Sequence, residues 1–541
     1  MQIQNNCMIK IYRCLLLLLL IFTTDKIFSQ IPVSDSSNKI EILSGNSTRF
    51  ITLNDSTSLR TLAGNAKVKQ GKTILSGDSI VINSRTQIAE VFGNVHINDA
   101  DTVNTYASYL RYLGKERIAY LKRGVKLTDG KGTLLTDDLT YDLASSIATY
   151  KGGGKVINGT TVLTSTDAVY YSNTKDVYFK KYVHLVDPKY DIKADSLQYN
   201  TTFKIATLIS PTIVKTKEGK IIRSKNGTYN LQTGEANFFD RTVISDSASS
   251  AIADNIFFDE KTGIGILEGR AKFVDSINHV IAIGNRIETN QKTASFLATQ
   301  KPVVIIVKDK DSTYIAADTL FSGLRKYDST TKRNYTKVDT VNNKQIYSKT
   351  PQDSIRYVIG YNNVRIFNDS AQAVSDSMYY STEDSVFRMF RNPVFWKEKN
   401  QVKGDTMYLF TENQKPKRLY VFNNSIIINQ QNPAMYNQAG GRTLNAYFNS
   451  GQIDYSRIKG SPAETIFYPQ DEDSAFIGMN RSSGDLVDVY FAKQEVKKIK
   501  FVNNVDGMMY PIKQIPADKK YLKNFKWEGK RRPKNKLELF Q

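Results

Sequence analysis

The chain has 541 residues, a formal net charge of +21 and 2 cysteines. Both cysteines, Cys7 and Cys14, fall in or before an N-terminal apolar run, so everything beyond it lacks a thiolate for disulfides, metal ligation or covalent catalysis. So large a positive charge favours anionic partners: phosphorylated lipid, a membrane surface or nucleic acid.

Lys10 and Arg13 precede the apolar run from Leu15 to Phe22, and a polar stretch ending Phe28-Ser29-Gln30 follows. This order predicts a secretory signal peptide over residues 1–29, cleaved near Ser29, with an apolar run too short to span a bilayer. Cys14 lies ahead of the Leu run, the wrong place for a lipid-modified N-terminus. Lys10, Arg13 and Lys26 against Asp25 take +2 away with the signal, leaving +19 of the +21. Export makes nucleic acid the least favoured partner, and no later run is apolar and long enough for a membrane helix.

After a lead-in over residues 30–59, one pattern recurs about every 29 residues. GDSIVIN (77–83), TDDLTYD (136–142), TDAVYYS (166–172), ADSLQYN (194–200), ADNIFFD (253–259), ADTLFSG (317–323), SDSMYYS (375–381) and GDTMYLF (404–410) align on an aspartate. Ser108, Lys225 and Asn285 occupy that column in weaker copies. An apolar residue stands two positions later and, in most copies, an aromatic or apolar one two beyond that. This spacing puts both on one face of an extended strand. A second alternating strand precedes each copy, as in Val95 and Ile97 or Val125 and Leu127. A third follows, as in GIGILEG (263–269). Each repeat is therefore two or three strands that bury an apolar face only by stacking on neighbours, an all-β repeat array. Residues 60–322 form the first array and 354–512 a second. Residues 323–353, polar, basic and without alternation, read as an exposed insertion, and 513–541 as a basic, solvated C-terminal tail.

Little catalytic chemistry is legible. Gly77-Asp78-Ser79 resembles a hydrolase GDS block, but the position after Asp drifts through Ala168, Ser196, Asn255 and Thr319, unlike a nucleophile held beside a base. His96 and His184 sit on strands facing away from the apolar columns, and His279 in a turn; no convergent metal set emerges and no cofactor is expected. The Asp column predicts residues that cap the turn entering a strand by accepting backbone amides. The apolar columns predict a core, and if the sheets stay unclosed, a trough able to take acyl chains, with the Tyr column at its lip and hydroxyls wet.

The alternation of GNVHIND or GRAKFVD strands with ADSLQYN or ADNIFFD strands, then IATLIS or GIGILEG, resembles the organic-solvent-tolerance (OstA-like) family over roughly residues 60–510. That family includes the periplasmic lipopolysaccharide-transport bridge and the N-terminal domain of the outer-membrane lipopolysaccharide assembly protein. The resemblance implies an elongated β-jellyroll shaped as a V-sectioned, two-sheet trough. It implies no enzymatic activity, but a periplasmic conduit that shields the acyl chains of lipopolysaccharide on the way to the outer membrane. Its partners would be the acyl chains and phosphates of lipid A, other transport proteins joined by edge-strand pairing, and an outer-membrane acceptor. The groove candidates are Ile80, Ile82, Val95, Ile97, Leu110, Val125, Leu127, Leu139, Val169, Tyr171, Val183, Leu185, Leu197, Tyr199, Ile256, Phe258, Phe273 and Ile287. The chain departs from the family in having about a dozen repeats and no series of membrane strands. The alternative reading is a structural β-solenoid, a surface or scaffold protein without lipid cargo.

Overall fold

The computed structural model describes residues 39–541 except 55–56, 308–311, 327–336, 342–343, 348–353, 413–414 and 493–494. The signal peptide and both cysteines lie outside the described residues. The chain divides between Gly152 and Gly153 into two compact units, inside the stretch expected as one array. Both are built of antiparallel β-strands, so the all-β expectation holds.

In the first unit, Thr57–Gln70, Thr73–Asn83, Ile88–Asp99, Val103–Leu113, Ile118–Thr128 and Thr133–Asp142 pair in chain order as a meander. Every one of these strands breaks register near its middle. Phe92 pairs with Tyr109 and Val95 with Ala107, so Gly93 and Asn94 on one strand oppose Ser108 alone on the other. That is a β-bulge, which bends the pair: the strand with the extra residue keeps one inward parity, as Ala89, Val91, Val95 and Ile97 show, while the strand facing it switches. Thr73, Leu75, Ile80 and Ile82 are all buried although the spacing changes from even to odd across Asp78. Unbent alternation would put one of the two pairs in water. The segments on either side of the bulges therefore make two walls with a shared interior.

The second unit repeats the scheme, for example in Asp176–Val186 with Tyr190–Asn200 and in Ser249–Asp259 with Ile264–Asp275. The bulge positions have left-handed backbone: Gly93 and Asn94, Asn362 and Asn363, Asn423 and Asn424, Asn503 and Asn504 all have positive φ. Asn and Gly tolerate this conformation best. At Gly93 a Cβ would also collide with the Asp78 carboxylate.

This geometry corrects the expected role of the aspartates. Asp78 accepts both its bonds from the Asn94 amide, at 3.0 and 3.1 Å. Asp318 is held likewise by Asn363 at 3.1 and 2.9 Å, Asp405 by Asn424 at 2.9 Å, Asp167 by Lys181 at 2.8 Å and Asp254 by Arg270 at 2.7 Å. Asp137 alone of those expected to cap takes a backbone N–H in these bonds, from Gly124 at 3.3 Å. The column thus clamps the bulge from the facing strand. Turn capping falls to the residue five positions later: Asn83, Asp142, Asn200, Asn230, Asp259 and Asn290 each accept the N–H groups two and three residues on.

Two boundaries also move. Residues 323–326 continue the strand Thr319–Lys326, which pairs with Ser354–Asn368 through Lys326 opposite Ser354. Within the expected insertion, Lys337–Val341 and Lys344–Tyr347 pair as a separate hairpin. The C-terminal tail is not a solvated appendage. Gln438 accepts from Leu522 N at 2.9 Å and donates to Lys520 O at 3.0 Å, and Gln401 brackets Lys526 O and Glu528 N at 2.8 and 2.7 Å. Arg532 donates to Gln372 at 2.7 Å, and Arg365 to Glu538 O at 2.9 Å. Leu522 packs with Ile426, Ile428, Tyr436 and Met479, and Leu539 with Val303, Ile305 and Phe367. The tail is a strap across the outside of the wall containing 303–306, 364–368, 394–403 and 425–441.

Candidate functional site

The interior between the walls is where the groove candidates converge. Ile80, Ile82, Val95, Ile97, Leu110, Val125, Leu127 and Leu139 are buried in the first unit, and Val183, Leu185, Leu197, Tyr199, Ile256, Phe258 and Ile287 in the second. Phe273 is half-buried. Val169 and Tyr171 are corrected: Ala168, Tyr170 and Ser172 point inward instead, and Tyr171 is exposed. Asp167 pairs with Lys180, the position that Ser196 takes on the neighbouring strand. The aspartate of TDAVYYS therefore sits one residue later than in the other copies, and alignment on it shifts the face by one.

The tyrosines do not stand at a wet lip. Tyr112, Tyr141, Tyr199 and Tyr229 are fully buried. Tyr112 donates to Gln70 on the opposite wall at 2.5 Å, while Gln70 donates to Gly114 O at 2.8 Å. Tyr141 reaches Asp99 at 3.2 Å, and Asn158 donates to Thr201 O at 2.6 Å. Tyr190 and Tyr229, from opposite walls, share the Glu260 carboxylate at 3.0 and 2.7 Å. These bonds lace the walls together on the side away from the bulges, joining side chains where no backbone ladder runs. Burial pushes the Tyr112 and Tyr199 hydroxyls up to about 12, and Tyr229 higher still through burial and its bond to Glu260.

Beyond the Glu260 clasp the interior opens into a cavity of about 440 Å³ in the second unit, within the range of small-molecule sites. Ile256, Phe258, Leu267 and Phe296 line one wall and Ile244, Ala251 and Phe273 the other, with Phe273 and Phe296 meeting across it at 6.0 Å. Two cations border this apolar space. Lys220 lies over the Phe258 ring at 4.0 Å, and burial lowers its pKa against the pull of Glu260, Asp246 and Glu218. Arg356 donates to Asp275 across the walls at 2.9 Å and to Ser322 at 3.0 Å, with the two charged side chains 7% and 13% exposed. Its Nε is buried and has no hydrogen-bond partner among the described residues. Burial lowers the Arg356 pKa, opposed by Asp275.

Three of the predicted candidates, Ile256, Phe258 and Phe273, line this cavity. Sequence reasoning missed Leu267, Phe296, Lys220 and Arg356. Leu267 and Phe296 lie on strands read only as alternating neighbours. Arg356 occupies an inward position of SIRYVIG, where a cation among apolar residues was the available signal.

Residues 37–195 match the family model for OstA-like protein. They form an OstA-like domain. This domain spans most of the first unit and the start of the second. No curated protein matches the chain. A similar solved structure is the crystal structure of LptH, the LptA-homologous periplasmic component of the conserved lipopolysaccharide transport device from Pseudomonas aeruginosa. It is 13% identical, with a TM-score of 0.10, over 32% of this chain and 83% of that one.

Proposed function

We propose that this chain is a non-enzymatic periplasmic conduit that carries lipopolysaccharide toward the outer membrane, its acyl chains held between the two walls. The observation that carries this reading is the apolar cavity lined by Phe258, Leu267, Phe273 and Phe296 and bordered by Lys220 and Arg356. Aromatic and aliphatic walls suit acyl chains, and the unpartnered Arg356 Nε beside them suits a lipid A phosphate. The clasps are single side-chain bonds, each contributing on the order of 1 kcal/mol, so they can part while the backbone ladders stay intact. Cargo would thereby enter from the side. The OstA-like domain supports the same reading, with export by the signal peptide placing the chain in the periplasm.

Partners would add strands at the edge Ser47–Asn54, which pairs on one side with Thr57–Gln70 and leaves Phe50, Ile51 and Leu53 exposed. These partners would be other transport proteins or an outer-membrane acceptor. The alternative of a structural β-solenoid without cargo draws support from the complete burial of most of the apolar columns.

Depletion in cells separates the two. A conduit leaves newly made lipopolysaccharide at the inner membrane within a generation, whereas normal delivery to the outer membrane after full depletion removes the transport reading.

A further inference from the structure

A second concavity lies on the outside of the second unit, on the same wall that the strap covers further along the chain. It measures about 660 Å³ and is lined by Lys193, Ile213, Arg223, Lys225, Arg241 and Val243 among others, with no acidic side chain. Pairing across the strands sets Lys193, Ile213, Arg223 and Val243 in one row. Arg241 is already spent on Asp254 at 3.2 Å. Lys193, Arg223 and Lys225 have no ion-pair partner among the described residues. Ile213 stays exposed between them. The groove is thus a cationic rim around an apolar floor, on a face whose continuation is occupied by an extended segment.

The chain also carries the complement. In a strongly basic sequence, Asp471, Glu472 and Asp473 form its one run of three consecutive acids. They stand on an exposed knuckle between the strands Gln452–Phe467 and Gly478–Ala492, closed by the bridge between Gln470 and Phe476. The Asp471 carboxylate is used inside the knuckle, accepting from Asp473 N and Ala475 N at 3.1 and 2.8 Å. Glu472 and Asp473 project outward, free of ion pairs among the described residues, and Ile477 beside them is 54% exposed.

We infer that the acidic knuckle of one copy docks in the basic groove of a second, with Glu472 and Asp473 against Arg223, Lys225 and Lys193, and Ile477 against the apolar floor. The knuckle cannot reach its own groove. A dozen strand-to-strand steps of about 4.8 Å, roughly 58 Å in all, separate 242–245 from 463–467 along the wall. Because the two surfaces differ, the contact is heterologous and propagates head to tail, in open chains. It is independent of what the interior carries.

Sedimentation velocity on the full mature chain tests this. The wild type should associate with rising concentration at low salt and lose that association at high salt. The pair E472K/D473K and the pair R223E/K225E, with K193E as a second groove variant, should each weaken association at least about tenfold while melting as the wild type does. An equimolar mixture of the two paired variants should recover association, since the native groove of one meets the native knuckle of the other and the two reversed surfaces are again opposite in charge. Three results overturn the proposal: a monomeric wild type at all concentrations, association that both reversals leave unchanged, or a monomer whose groove instead binds phosphatidylglycerol vesicles in an Arg223-dependent way.

Discussion

Truncation after Pro511 is expected to unfold or aggregate the second unit, leaving the first folded. The strap contributes Leu522 and Leu539, both buried, and the partly buried Phe525 and Trp527. At roughly 2 kcal/mol for each large apolar side chain, its removal withdraws stabilisation comparable to that of a whole domain. It also takes the strap's hydrogen bonds from buried Gln438 and Gln401, leaving Gln438 with only Tyr436 O and Gln401 with only the Trp396 indole. Calorimetry should show one transition lost or moved far down, together with binding of a hydrophobic dye. A synthetic 512–541 peptide added in trans should restore it. Leu522→Ala alone is expected to cost about 2–4 kcal/mol.

The strap should also be acid-sensitive. Burial pushes the Glu528 carboxyl up, but bonds from Lys526 and Lys403 outweigh it and hold the pKa below the usual range. A carboxylate with a depressed folded pKa stabilises above its unfolded pKa, and that contribution fades as pH falls through the lower folded value. Unstrapping is therefore expected in acid, not in base.

The second large effect is at Arg356. Replacing it with Ala takes the ion-pair partner from the partly buried Asp275, which keeps only its bonds from Asn278 at 2.9 and 2.8 Å. The loss should cost up to about 3 kcal/mol, because a charge stripped of its partner is worse than no pair at all. Replacing both residues together, R356L with D275L, should recover most of that stability. Capture of a phosphorylated amphiphile should stay lost in the double variant, which separates the role of Arg356 in folding from its role toward cargo. Equal ligand capture by wild type and double variant would remove Arg356 from the site.

Much of this architecture was legible because a period-2 pattern held over a dozen copies can bury its apolar face in only one way. Ile80, Leu110, Leu139 and Leu197 fell on the expected face for that reason. The bend was not legible from alternation, since a bulge changes inward parity without changing composition. Asp78 with Asn94, and Asp405 with Asn424, carry the signal as partners about 16 to 19 residues apart. Val169 was misplaced because one copy shifts its aspartate relative to the bulge. The strap was hidden by its own chemistry: Leu522, Phe525, Trp527 and Leu539 are spaced irregularly among lysines, and their burial depends on Gln372, Gln401 and Gln438, more than 80 residues away. The interior clasps were hidden too, because a Tyr hydroxyl in a sequence does not reveal whether water or Glu260 receives its proton.

The most direct test places a photo-crosslinking residue at Phe273, facing the cavity, and at Val169, facing away from the interior, in otherwise wild-type protein expressed in cells. A lipid conduit gives lipopolysaccharide adducts at Phe273 and none at Val169, with both proteins folded. Adducts at neither position, or at both equally, would contradict passage of the acyl chains between the walls.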